Sequence, residues 1–204
     1  MCCAHPDDIY SSGDTSMTTK FAAFVTGLAM AVTLFTPGSA TANTNARASV
    51  RTEMQAPRTV VTPLAMQYFC AKHRSECASS RRTQVTMSAE LLTSLKQVTV
   101  QVNRAIRPKR DAADSWDLNP SSGDCEDYVL SKRSALIRSG VTPGALRIAY
   151  THTGWGEPHA VLVVKTSEGD LVLDNLNNAV KSLRSTGYSI RSMSGANPLR
   201  WTAG

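Results

Sequence analysis

The apolar positions of this chain change period part-way along, from helical spacing to alternation. From Pro63 to His73 the pattern predicts a first helix, with proline in the first turn, where its missing N–H removes no helical hydrogen bond. Ser88 precedes Glu90, Leu91, Leu92, Leu95, Val98 and Val102, an apolar stripe at helical spacing that closes before Pro108 and predicts a core helix. Arg107 to Ser122 carries Pro108, Pro120, several aspartates and Trp116, and reads as a loop. A third helix follows, with Asp124 as N-cap, Val129, Leu130, Arg133, Ala135, Leu136 and Ile137 along its length, and Gly140 as its terminator.

Beyond Gly140 the period shortens. Ala145 to Thr151, His159 to Lys165 and Asp170 to Leu176 are rich in Val, Leu and Ile and are separated by Gly-containing loops, which predicts strands of a largely antiparallel sheet. Tyr188 to Ser194 is a further candidate strand. Helices first and strands second predict an α+β domain, with N-terminal helices packed on an antiparallel sheet.

Before the first helix the chain has a different character. Phe21 to Phe35 is an uncharged apolar run, preceded by Lys20 and followed by Pro37, Gly38 and small residues through Ala42. That is the layout of a signal peptide over residues 1 to 42, with an uncleaved anchor as the alternative. The run is short beside the roughly 20 residues of a comfortable membrane span. Residues 1 to 16 are acidic and suit a positively charged n-region poorly, so Met17 is the better candidate start. Residues 43 to 61 read as a flexible mature N-terminus, leaving 62 to 204 as one domain long enough for a real core.

Cleavage would remove Asp7, Asp8, Asp14 and Lys20 and raise the net charge from +6 to +8. An exported basic chain suits an acidic protein partner. Its Lys and Arg lack interleaved aromatics, which disfavours nucleic acid as the partner. Cleavage also leaves Cys70, Cys77 and Cys125, an odd count for an oxidising compartment. A continuous helix would hold Cys70 and Cys77 about 10 Å apart, beyond disulfide reach, but a break at His73, Arg74 and Ser75 allows them to pair. Two reduced thiols are the alternative.

Cys125 then stands alone, between Asp124 and Glu126 with Asp127 following, at a predicted helix start. The helix N-terminus favours a thiolate and the carboxylates oppose it. Two later residues complete a pattern. His159 opens an apolar strand and Asp174 closes another, so a nucleophile, a base and a group to orient the base lie at the ends of three elements. Singly, each has an ordinary explanation as a small hydrophobe, a surface histidine or a turn aspartate. The hairpin register is a demanding test of the set. With a turn at Glu168 and Gly169, His159 faces Asn178 and Asp174 lies about 13 Å away. Contact requires a turn nearer Thr166 and Ser167, or a bulge.

The segments GDCEDY, LRIAY, GEPHAVLVV and LVLDNL resemble the bacterial transglutaminase-like cysteine peptidase family, over roughly residues 60 to 202. The resemblance implies an exported enzyme with a papain-like core, in which Cys125 is the nucleophile, His159 the base and Asp174 its orienting group. The family includes periplasmic calcium-dependent proteases that clip large surface adhesins. It therefore implies a protein substrate, a periplasmic or secreted location, and a calcium site using Asp124 and Glu126, with Asp127 as a further candidate. Calcium suits clustered carboxylate oxygens, and would reverse their effect on the thiolate. Transfer of the acyl group to an amine, and a non-catalytic calcium-binding or interaction module, are the rival functions.

Overall fold

A computed structural model of the chain describes residues 58–110 and 115–204. The expected signal segment and most of the expected flexible N-terminus lie outside the described residues. Nine strands and four α-helices are assigned among the described residues: β1 (Thr59–Val60), α1 (Leu64–Lys72), α2 (Ala89–Ala105), β2 (Arg107–Pro108), β3 (Ser122–Gly123), α3 (Cys125–Arg138), β4 (Leu146–His152), β5 (Pro158–Thr166), β6 (Gly169–Leu173), β7 (Lys181–Ser182), α4 (Leu183–Thr186), β8 (Ser192–Ser194) and β9 (Trp201–Ala203). Seven strands form one antiparallel sheet in the order β1-β9-β8-β4-β5-β6-β7. The fold is α+β, as the period change implies.

The helices follow their predicted signals. Ser88 caps α2 by accepting the Leu91 N–H, and Leu95, Val98 and Val102 form the buried side of that helix. Helix α3 packs on α2 on one side and on β5 and β4 on another, so most of its residues are buried, including Lys132 and Arg133. Alternation along β5 sends Ala160, Leu162 and Val164 into the core shared with the helices. Val161 and Val163 enter a smaller cluster with Ala149 and Val172, against which Leu183, Tyr188, Ile190 and Met193 pack.

Four local expectations change. Thr59 and Val60 pair with β9 at the sheet edge. Arg107–Pro108 and Ser122–Gly123, inside the expected loop, form a short parallel ladder that ties the end of α2 to the start of α3. Of Tyr188 to Ser194, the ladder keeps only Ser192–Ser194. Strand β6 stops at Leu173, because the Asp174 side chain accepts the Leu176 N–H and turns the chain.

Cys70 and Cys77 form a disulfide with their Cα atoms 5.5 Å apart. Helix α1 ends at Lys72 and a 3-10 turn over Arg74–Cys77 reverses the chain, so the break expected at His73 to Ser75 is where the helix stops.

Candidate active site

The β5–β6 hairpin sets the geometry of two of the three candidate catalytic residues. Thr166 pairs with Gly169 and Leu162 with Leu173, so the two-residue turn is Ser167–Glu168, one residue earlier than the turn that would oppose His159 to Asn178. Continuing this register puts His159 across from Leu176, with Asp174 as its diagonal neighbour. Diagonal pairs are about 7 to 8 Å apart at the backbone, which longer side chains span. His159 Nε2 and Asp174 Oδ1 are 2.8 Å apart, and both side chains are buried.

The Asp174 carboxylate is held from several directions. Its Oδ1 also accepts the Leu176 N–H at 2.9 Å, and its Oδ2 accepts the Tyr188 hydroxyl at 2.5 Å. Asn103, in the last turn of α2, donates to the Asp174 carbonyl at 2.9 Å. Burial by itself would raise the carboxyl pKa, but the bonds from His159, Tyr188 and Leu176 together outweigh it and hold the group below its ordinary value. Burial, followed by the bond to Asp174, raises the Tyr188 phenol, so it remains protonated and donates. An ionised carboxylate only accepts, which fixes the His159 proton on Nε2.

Cys125 is the first residue of α3 and is buried. Asp124 accepts the Glu126 N–H, and Asp127 reaches back to the Asp124 N–H, a reciprocal cap that fixes the first turn. Gly123 is required beside it, since a Cβ there would stand 1.9 Å from Asp127 Oδ2. The Cys125 thiol donates to Glu126 Oε2 at 2.9 Å.

Further contacts tie the helix start, the dyad and the segments beside them to their neighbouring elements. Tyr128 donates to the Ile106 carbonyl at 2.6 Å, joining the first turn of α3 to the end of α2, from which Asn103 reaches Asp174. Arg110, just past the β2–β3 ladder, lies 3.9 Å from Glu157, two residues before His159. Trp116 is buried and meets Tyr150 edge-on with ring centroids 6.4 Å apart.

The metal candidates divide. Asp127 uses one oxygen on the Asp117 N–H at 2.7 Å and the other on the Asp124 N–H at 3.3 Å, so it serves the cap and the preceding loop. Asp124 and Glu126 flank the thiol with the oxygen chemistry that calcium takes. Among the described residues no group of three or more His, Cys, Asp or Glu side chains is arranged to hold a metal.

A match to the model of the bacterial transglutaminase-like cysteine proteinases extends over residues 56–203, which include every element just described. The chain belongs to that family. This proteinase is therefore an enzyme of the cysteine protease class. No curated protein matches its sequence. Among solved structures, it is similar to the calcium-bound LapG of Legionella pneumophila at 21% identity and a TM-score of 0.48, covering 55% of this chain and 69% of that one. The EGTA-treated form of the same protein gives 19% identity and 0.46, covering 73% and 88%. Both scores fall below one half, so the family assignment stands on the sequence match.

Sequence reasoning missed Tyr188 and Asn103 as neighbours of the site. Tyr188 reads as a strand residue and Asn103 as a polar position on an amphipathic helix, and neither spacing connects them to Asp174. No helix among the described residues is long and apolar enough to cross a membrane.

Proposed function

We propose that the proteinase is an exported endopeptidase acting through Cys125, His159 and Asp174. The observation that carries this reading is the buried His159–Asp174 pair at 2.8 Å, together with a buried cysteine on the first residue of a helix. With Nε2 engaged by Asp174, Nδ1 is the nitrogen that takes the thiol proton. The Cys125 sulfur attacks the scissile carbonyl carbon and forms a C–S bond as the carbonyl electrons move to oxygen. The Cys125 N–H, at the start of α3, would stabilise that oxyanion. Collapse breaks the C–N bond, and the imidazolium gives its proton to the departing amine. Water, deprotonated by His159, then hydrolyses the thioester to a carboxylic acid and restores the thiol.

Asp124 and Glu126 would hold calcium, with Asp127, which also accepts the Asp117 and Asp124 N–H groups, as the weaker candidate. A cation there would offset the opposition of both carboxylates to the thiolate. The substrate is an exported or surface protein, with a large adhesin as the candidate that family resemblance supplies.

The reading is tested by incubating the protein and its Cys125→Ser and His159→Ala variants with an adhesin fragment and a labelled primary amine. Chain cleavage by the unaltered protein alone supports it. Amine incorporation without cleavage would assign the acyl group to transfer instead.

A further inference from the structure

A carboxylate gripped by one oxygen is still free to turn. The torsion about the Cβ–Cγ bond of aspartate is broad, so the His159 and Leu176 bonds, which both end on Oδ1, leave the carboxylate plane poorly defined. The bond to Oδ2 is what fixes it, and Tyr188 makes that bond at 2.5 Å. The same side chain packs against the imidazole, with ring centroids 5.9 Å apart at 62°. One residue thus holds the orienting group through its hydroxyl and the base through its ring.

We infer that Tyr188 is a positioning residue of this proteinase, acting through Asp174 to hold His159 in the tautomer and orientation that serve the Cys125 thiol. The inference rests on the catalytic reading above. Its physical content is specific. The phenol stays protonated and donates, so Asp174 remains an acceptor toward Nε2, and the Nδ1 lone pair is kept for the thiol proton. Tyr188 lies just after the left-handed Gly187, whose φ of 73° ends α4 and turns the chain back toward the sheet. That reversal explains why Tyr188 leaves the expected strand: its side chain is held at the dyad, and the ladder resumes only at Ser192.

Alkylation of Cys125 by iodoacetamide tests this without knowledge of the substrate, because its rate follows the thiolate that His159 sustains. Tyr188→Phe keeps the ring and removes only the hydroxyl. It should slow alkylation at pH 7 about tenfold, as expected when a catalytic group loses its orientation. In an Asp174→Ala background the same substitution should have no further effect. Imidazole ¹⁵N shifts give a second measurement on the single variant: the Nε2–H tautomer of His159 should lose population in Tyr188→Phe. An unchanged alkylation rate, or equal slowing with and without Asp174, overturns the inference, as does slowing with the tautomer unmoved. His159→Ala separates the two levels. If it alkylates as fast as the unaltered protein, the catalytic reading fails; if it is slow and Tyr188→Phe is normal, only the role of Tyr188 fails.

Discussion

Between the Cys125 thiol and Glu126 Oε2 there is 2.9 Å, a contact that suits the protonated sulfur and disfavours the thiolate. One unit charge at about 4 Å costs about 1 kcal/mol in water and about 4 at an effective dielectric of 20. In chelator, Glu126→Gln should therefore alkylate faster than the unaltered protein at pH 7, by at least about fivefold. Equal rates would show that the carboxylate does not hold the thiol back. Melting curves with and without calcium chloride test the ion itself. The unaltered protein should melt higher with calcium, whereas Glu126→Gln and Asp124→Asn should lose that gain. An equal rise in the variants would remove these two residues from a calcium site. The candidates were legible in the sequence because Asp, Cys and Glu are adjacent there. The division of labour was not, since it depends on which carboxylate oxygen each backbone N–H reaches.

At the scale of elements, the disulfide couples α1 to α3, the helix that begins at Cys125. Glu76, inside the Cys70–Cys77 loop, accepts from Ser134 at 2.8 Å and binds Arg133 through its carbonyl. Closing so short a loop is worth about 2 kcal/mol. Cys70→Ala with Cys77→Ala should lower Tm by several degrees while leaving the alkylation rate of the folded protein near its original value. An unchanged Tm would show that the loop is held without the bridge. The sequence made these elements readable to differing depths. Breaks, caps and periods are local, so α2, α3 and the strands β4 to β6 could be placed from them. The register of β5 on β6 depends on one residue of turn position, and it decides whether His159 meets Asp174. No local signal separates a turn at Ser167–Glu168 from one at Glu168–Gly169. Tyr188 was hidden for a related reason, because its bond to Asp174 spans 14 residues of chain and the two short elements β7 and α4.

For the whole molecule, the buried charge of Lys132 sets a pH dependence that the dyad reinforces. Lys132 is fully buried within α3, its Nζ makes no hydrogen bond among the described residues, and it lies 5.6 Å from the Tyr128 ring centroid. Burial lowers its pKa to about 7 against the opposing attraction of Asp174. In the unfolded chain the amine titrates near the ordinary lysine value of about 10.4, so between these values the unfolded state binds more protons than the folded one. Stability must then rise as pH increases through that window. At low pH, Asp174 acts in the same direction, since its folded pKa is depressed and its contribution is lost as pH falls through that value. Tyr188 sets the opposite limit: its raised phenol pKa means that its contribution is present below the unfolded value of about 10 and is lost as pH rises through the folded one. Maximum stability is therefore expected on the alkaline side of neutrality. Urea unfolding at pH 6, 7.5 and 9 should show the unaltered protein gaining on the order of 3 kcal/mol across the series. Lys132→Met keeps the volume and removes the charge, so its stability should be nearly flat over the same range and should exceed that of the unaltered protein at pH 6. Parallel curves for the two proteins would mean that Lys132 stays charged in the fold, with the ring of Tyr128 and the charge of Asp174 sufficient to keep it so.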